Sequence, residues 1–273
     1  MRTPLEVYAA LAPHVGGAPA LTPAAPWRSW ADVFGPDAVR ATVSTHAHAI
    51  QAPADLAGAF VAGRVAGALG RIQAWSLAIT GCALEITPTD LRVGFDGDEV
   101  AGAVDLTRAR VVGGEGPHGF AAASAAAGRT LDATIRDLVA TCSEAAGARV
   151  PARVVASAAV FAWYAALREI RPQLDGRTPA EVLAEQWRAS WALGTLVRPL
   201  EITEDAGPRT YLARAACCLE YRCDAPQARR YCTSCPMVDP ALARERLESG
   251  TTSGGRRPFG SEALRSARRA VAS

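Results

Sequence analysis

The spacing of apolar residues predicts a chain that is mainly helical. Predicted helices span 4–11, 37–51, 55–75, 131–146 and 154–170. In the last two, apolar residues recur every three to four positions, the spacing that places one helix face in a core. A sixth helix begins at Thr178-Pro179-Ala180-Glu181. There, an N-cap Thr, a Pro at the first helical position and a Glu at the third form a capping signal. We expect this helix to run to about Leu193.

Between the third and fourth predicted helices, the pattern changes to short alternating runs, which are typical of strands. Asp96-Gly97 is a good hairpin-turn sequence, so we expect these runs to be consecutive antiparallel strands. A glycine-rich loop follows them, and two more extended runs come later in the chain. The strand runs are 83–87, 91–95, 100–106 and 109–112, the loop is Gly113–Gly119, and the later runs are 197–203 and 209–215. The predicted class is α+β, with helices packed around one small antiparallel β-sheet.

The composition is that of an ordinary globular protein. The 273 residues are 49% hydrophobic, and the net charge is +2. The overall charge therefore gives no reason to expect a nucleic acid as partner. Glu6 interrupts the first apolar stretch, which lacks the apolar core of a signal peptide. The longest apolar run, 154–167, is too short to span a bilayer. We therefore expect a cytoplasmic protein with no integral membrane segment.

Five of the seven cysteines fall within nineteen residues near the end of the chain. They are the adjacent pair Cys217 and Cys218, then Cys223, then the Cys-x-x-Cys pair Cys232 and Cys235. In a cytoplasmic protein, such a group is more typical of metal binding than of disulfides. Four thiolates can hold a zinc ion or an iron–sulfur cluster.

The adjacent pair favours a cluster over zinc. Neighbouring side chains in an extended chain point to opposite faces, so Cys217 and Cys218 reach a single zinc ion only if the backbone bends sharply. A cluster with two separated irons spreads its ligand positions over a wider region than a single zinc ion does. The sequence thus favours an iron–sulfur centre, with structural zinc as the alternative.

The order Cys-Cys, then Cys-x-x-Cys-Pro near the C-terminus, resembles the FhuF-like ferric siderophore reductases. The flanking Leu219-Glu220-Tyr221-Arg222 and Pro236 are also similar to the family pattern, and the resemblance covers roughly residues 209–240. It implies a [2Fe-2S] cluster held by four thiolates, those of Cys217, Cys218, Cys232 and Cys235. The spacer between the two pairs, thirteen residues here, is longer than the family's usual one and contains Cys223. Cys218 and Cys223 could therefore compete as a ligand pair; otherwise Cys223 is a spare thiol.

The resemblance implies an oxidoreductase that transfers one electron to Fe(III) held by a siderophore, of the hydroxamate type. Hard oxygen donors bind Fe(III) tightly and Fe(II) far more weakly, so reduction releases the metal. No nicotinamide or flavin site is evident in the sequence, which implies a separate donor such as a reduced ferredoxin. Tyr221 and Arg222 are candidates to line the siderophore site, because the cluster loop carries them. Trp187 and Trp191 are weaker candidates, for which core packing is the simpler explanation.

These expectations divide the chain into three parts. Residues 1–205 form a mainly helical α+β substrate-binding domain, 206–249 a short C-terminal iron–sulfur segment, and 250–273 a disordered, Arg-rich tail. Two other functions stay open: a zinc-stapled binding protein without a redox role, and an iron–sulfur redox protein with another acceptor.

The remaining histidines and cysteines with a possible role are expected to be structural. His46 and His48 are two positions apart on a predicted helix and so face different directions, which argues against a shared metal. Cys82 and Cys142 are isolated from the cysteine segment and are expected to be buried thiols.

Overall fold

The computed structural model describes the helical body of the chain and the start of the cysteine segment. The described residues are 3–11, 28–29, 35–86, 91–96, 99–104, 109–114, 116–187, 197–204 and 207–214, together with Ala216, Cys217, Leu219, Arg222 and Ala241. The tail predicted over 250–273 lies outside them.

Six α-helices form the body of the described structure. They are α1 (Pro4–Leu11), α2 (Pro36–Ile50), α3 (Ala54–Thr80), α4 (Pro117–Ala146), α5 (Ala152–Glu169) and α6 (Pro179–Trp187). The capping box predicted for α6 is confirmed. The Thr178 N–H donates to Glu181 Oε2 at 2.7 Å, and the Glu181 N–H donates to Thr178 Oγ at 3.2 Å. Each side chain thus satisfies a backbone donor that the first helical turn leaves open.

Two helix boundaries differ from the sequence prediction. Helix α4 begins at Pro117, whereas we predicted a start at 131 and a loop up to Gly119. The added turns are rich in Ala, which favours helix, but Phe120 is their one large apolar residue, so no periodic apolar face is visible in the sequence. Helix α3 continues past the predicted end at Trp75 to Thr80, where Gly81 ends it in the left-handed conformation, with φ +68°.

Helices α3 and α5 pack closely because small residues face each other. A Cβ placed on Gly63 would lie 3.1 Å from the Ala158 Cβ, and one on Gly67 would lie 3.2 Å from the Ala162 Cβ. The numbers rise together along both helices, so α3 and α5 run parallel. Because the glycines have no side chains, the backbones of α3 and α5 can approach each other closely.

Polar contacts extend the same interface toward the ends of both helices. The Trp75 indole N–H donates to the Ala166 carbonyl oxygen at 3.1 Å. Arg71 donates to the Glu169 carboxylate at 2.7 Å, and its guanidinium lies 5.2 Å from the centre of the Trp75 ring. The indole N–H, which would be costly to bury unpaired, therefore has an acceptor.

The described strands form three small antiparallel sheets instead of the single consecutive sheet that we predicted. The expected antiparallel pair of β3 (Leu91–Asp96) and β4 (Glu99–Val104) forms, with Asp96 opposite Glu99 and with β1 (Arg28–Ser29) beside β3. Strand β2 (Cys82–Glu85), however, pairs with β5 (Arg110–Gly113) across this hairpin. The predicted strand order is therefore wrong for β2 and β5, because sequence alternation does not reveal a long-range pairing.

The buried side chain of Gln73 ties α3 to β2. Its amide NH₂ donates to the Leu84 carbonyl oxygen at 2.6 Å, and its amide oxygen accepts from the Leu84 N–H at 3.2 Å. One glutamine thus satisfies both backbone groups of a residue that is fully buried.

A second hairpin leads toward the cysteine segment. Strand β6 (Val197–Glu204) pairs with β7 (Gly207–Arg214) along their whole length. The boundary expected between 205 and 206 falls between β6 and β7, so the strands on both sides of it share one sheet.

The fold is α+β, as predicted, with helices dominating over small antiparallel sheets. Within the described ranges, no helix has both the length and the apolar character needed to cross a membrane.

Candidate metal centre

The cysteine segment begins on the surface of helix α5. Ala216, two residues after the end of β7, is buried, and its carbonyl oxygen accepts a hydrogen bond of 3.3 Å from the Ser157 hydroxyl. Ser157 is itself buried in α5. This hydrogen bond to a buried hydroxyl fixes the position of the Ala216 backbone, which is where the cysteine segment begins.

A tight turn places the first cysteine. Cys217 is half-buried with a free thiol, and its Sγ accepts a hydrogen bond of 3.4 Å from the Leu219 N–H. The Arg222 N–H donates to the Leu219 carbonyl oxygen at 2.8 Å, which closes the turn. The Cys217 sulfur therefore lies inside this turn, within hydrogen-bond distance of a backbone donor.

Leu219 adopts a left-handed backbone conformation, with φ +61°. This conformation is uncommon for a residue with a Cβ and costs on the order of 1 kcal/mol. It persists here because the side chain packs against the buried Ile50 and Leu56, beside Phe60. Backbone strain that is held by surrounding contacts occurs preferentially at ligand-binding sites.

Arg222 ends the described part of this turn with an ion pair. Its Nη1 lies 3.5 Å from Asp55 Oδ2, and the two side chains are 39% and 24% exposed. Asp55 lies in the first turn of α3, where the helix dipole also favours a negative charge. The pair links positions that are 167 residues apart, so it is a tertiary contact between the helical body and the cysteine segment.

Two of the predicted site residues, Cys217 and Arg222, are therefore found in one turn. Six other residues with an expected role lie outside the described residues: Cys218, Tyr221, Cys223, Cys232, Cys235 and Trp191. Among all the described residues, this turn included, no three His, Cys, Asp or Glu side chains gather as a metal site.

Trp187 lies in the helical core. It is 8% exposed, and its ring meets that of Trp163 edge to face, with 5.9 Å between the ring centres. The Trp163 indole N–H donates to Gln186 Oε1 at 2.7 Å in the same buried region. Trp187 therefore packs in the core, the explanation that the sequence favoured for it.

The isolated histidines and cysteines lie as the sequence predicted. His46 is buried in α2 and His48 is exposed, so they do not face a common point. Burial, with a smaller effect of the Arg64 charge, lowers the pKa of His46 to about 3. Cys82 and Cys142 are buried free thiols, and burial raises the pKa of Cys142 to about 12, which disfavours its thiolate.

Sequence reasoning missed Asp55 and Ser157, two side chains that contact the described part of the cysteine segment. In the sequence, Asp55 is recognisable as an acidic residue at the start of a helix. Ser157 is recognisable as a polar residue within an apolar helical run. Neither signal points to a partner that follows 59 or 167 residues later.

No protein-family model matches the chain, and no curated protein matches it. What the chain can do chemically therefore follows from its cysteines and from the contacts that position Cys217. A half-buried thiol that accepts a backbone hydrogen bond suits a metal ligand at the protein surface.

Proposed function

We propose that the protein is a ferric siderophore reductase that holds a [2Fe-2S] cluster and acts in the cytoplasm. The observation that carries the proposal is the ligand pattern: an adjacent pair, Cys217 and Cys218, followed by the Cys-x-x-Cys pair Cys232 and Cys235. Its resemblance to the FhuF-like pattern supplies the substrate class.

The surroundings of Cys217 support its role as a ligand. Four thiolates, those of Cys217, Cys218, Cys232 and Cys235, would hold the cluster, with Cys223 as the spare thiol. When bound, the cluster would supply one electron at a time. The Leu219 N–H donates to the Cys217 sulfur, and hydrogen bonds to ligand sulfurs are among the factors that set cluster potentials.

The exposure of the turn supports electron transfer to a bound complex. Cys217 is half-buried and Arg222 is exposed, so a ferric complex can approach this side of the protein without opening the core. The arginine offers hydrogen-bond donors to the oxygen atoms of a hydroxamate siderophore. Each Fe(III) gains one electron, becomes Fe(II), and leaves ligands that hold it weakly. A reduced ferredoxin or a similar protein supplies the electron.

Metal analysis is the first experiment. The protein is purified without oxygen and assayed for iron, sulfide and zinc, and its reduced form is examined by EPR. We expect about two irons and two sulfides per chain and a one-electron EPR signal. Cys232→Ser should abolish the signal, while Cys142→Ala, a change at a buried thiol far along the chain, should preserve it. A colourless protein with one zinc would refute the proposal and support the zinc-stapled alternative.

The substrate is tested with a matched pair of complexes. Ferric hydroxamate added to the reduced protein should reoxidise it, with one Fe(II) formed per electron. The gallium complex of the same siderophore has the same charge and shape but accepts no electron, so it should bind without reoxidation. If the reduced cluster reacts with neither a ferric hydroxamate nor another ferric siderophore, the reductase proposal is refuted. The protein would then be an iron–sulfur redox protein with a different electron acceptor.

Cys223→Ser separates the two possible ligand sets. If Cys223 is the spare thiol, this variant keeps iron, sulfide and the EPR signal. Loss of the cluster in Cys223→Ser together with retention in Cys217→Ser would assign the first ligand pair to Cys218 and Cys223.

A further inference from the structure

The turn that carries Cys217, from Ala216 to Arg222, is held on the helical body at three points. Its first carbonyl oxygen accepts from Ser157, the Leu219 side chain packs on the ends of α2 and α3, and Arg222 pairs with Asp55. We name the described residues of this turn, Ala216, Cys217, Leu219 and Arg222, the docked turn. The three contacts reach α2, α3 and α5, so the position of the first cysteine depends on the helical body.

The ion pair differs from the other two contacts because it acts on one side chain at the end of the docked turn. The backbone hydrogen bond and the apolar contact fix the path of the chain near Ala216 and Leu219. The orientation of the Arg222 guanidinium is fixed by Asp55 alone among the residues that the structure describes. Since the Arg222 N–H closes the turn on Leu219, a side chain held at Arg222 also holds the turn closed.

Asp55 is well placed for this role. Its side chain is 24% exposed, compared with 96% for Asp37, which occupies the same helical turn of α2 and pairs locally with Arg40. Charges that are partly removed from water interact more strongly than fully exposed ones. The positive end of the α3 dipole also attracts the negative charge of Asp55 at this position.

We propose that Asp55 is a positioning residue for the metal centre, which acts through Arg222 to hold the docked turn closed around Cys217. The inference deepens the proposed function, on which its relevance to a cluster rests. Asp55 touches neither the cysteine nor a substrate. Its effect passes through the guanidinium to the backbone that donates the hydrogen bond to Cys217 Sγ.

Hydrogen exchange of the docked turn tests the proposal in the protein as purified. The amides of Leu219 and Arg222 are hydrogen-bonded within the turn, so their exchange reports its opening. Asp55→Asn should speed their exchange about two- to five-fold, the effect of losing a partly exposed ion pair. Asp37→Asn is the matched control, because it removes a helix-start aspartate with a local arginine partner, and it should leave these amides unchanged.

Two further variants separate positioning from general stability. Arg222→Gln should speed exchange of the Leu219 amide as much as Asp55→Asn does. The exchanged pair, Asp55→Arg with Arg222→Asp, should recover part of the slow exchange, which a purely structural role of either residue would not produce. Amides in the middle of α5 serve as an internal reference, and they should exchange at the same rate in all variants.

The proposal is overturned if Asp55→Asn and Asp37→Asn give the same exchange in the docked turn. It is also overturned if Asp55→Asn speeds exchange of α5 equally, because Asp55 would then support the fold as a whole. The outcome is independent of the metal. A zinc protein whose docked turn opens in Asp55→Asn refutes only the proposed function, and a [2Fe-2S] protein whose turn does not respond refutes only this inference.

Discussion

The closest approach between α3 and α5 predicts a strong effect of one methyl group. Gly70 faces the backbone of α5, and a Cβ at this position would lie 2.7 Å from the Ala159 carbonyl oxygen. A carbonyl oxygen within a helix cannot rotate away as a side chain can. In Gly70→Ala, the two helices must therefore separate by about 0.7 Å, from 2.7 Å to the 3.4 Å at which ordinary contact begins.

Two opposing effects set the magnitude. Replacing a helical glycine by alanine gains about 1 kcal/mol of helix propensity. Overpacking a tight interface costs about 1–3 kcal/mol, and contact with a rigid backbone atom places Gly70 at the upper end. We expect Gly70→Ala to lower the free energy of unfolding by about 2 kcal/mol.

Gly67→Ala is the matched control, one helical turn earlier on the same face. Its added Cβ would lie 3.2 Å from the Ala162 Cβ, so the helices need to separate by only about 0.2 Å. The gain in helix propensity then offsets most of the cost, and we expect a change within about 1 kcal/mol of zero. Urea unfolding of both variants, followed by circular dichroism and tryptophan fluorescence, measures the difference. If Gly70→Ala is as stable as Gly67→Ala, the close backbone approach is refuted.

Three other changes have defined outcomes. Gln73→Leu should lower the free energy of unfolding by about 2–5 kcal/mol in urea, because it leaves the buried N–H and C=O of Leu84 unpaired. His46 has a pKa of about 3 in the folded protein and about 6.5 when unfolded, so below pH 6.5 only the unfolded chain takes up its proton. The free energy of unfolding should therefore be unaffected by His46 above pH 6.5 and should fall by up to about 1.4 kcal/mol per pH unit as the pH drops toward 3. In urea unfolding between pH 7 and 5.5, His46→Phe should lose less stability than the wild type. If the cluster is present, Asp55→Asn should raise its midpoint potential in an EPR-monitored titration, because loss of a negative charge near Arg222 favours the more negative, reduced state.

Each of these outcomes can fail in a specific way. Gln73→Leu with wild-type stability would mean that water or another group satisfies Leu84. Equal pH profiles for wild type and His46→Phe would mean that His46 takes up its proton in the folded protein. An unchanged or lower potential in Asp55→Asn, relative to Asp37→Asn, would mean that the Asp55 charge does not act on the metal centre.

Local sequence signals predicted the local parts of the structure. The capping box at Thr178 and the strand pairing predicted from Asp96-Gly97 each depend on residues close together in sequence; the capping box forms, and β3 pairs with β4. The pairing of β2 with β5 was not predictable in this way, because a complete hairpin lies between the two strands. The early start of α4 was missed for a different reason, since Phe120 is the one large apolar residue in its Ala-rich first turns and one such residue shows no periodicity.

The same distinction applies to the candidate site. The cysteine pattern shows its chemistry in the sequence, because ligand type and spacing are local properties. What holds Cys217 in place is non-local, since Ser157 and Asp55 precede their partners by 59 and 167 residues. A polar residue on a helix does not reveal in sequence which distant backbone group it will meet.

The parallel packing of α3 and α5 has a consequence for the order of events during synthesis. Contacts between the two helices join positions 91 and 98 residues apart, and 71 residues lie between the end of α3 and the start of α5. At about 5–20 residues per second, positions on the face of α3 that carries Gly63, Gly67 and Gly70 wait roughly 5–20 seconds for their partners in α5 to be made. Folding therefore depends on the closure of a long loop, which is slower than the formation of either helix. The nascent chain is most exposed to aggregation in this interval, before the segment that completes its core has been made.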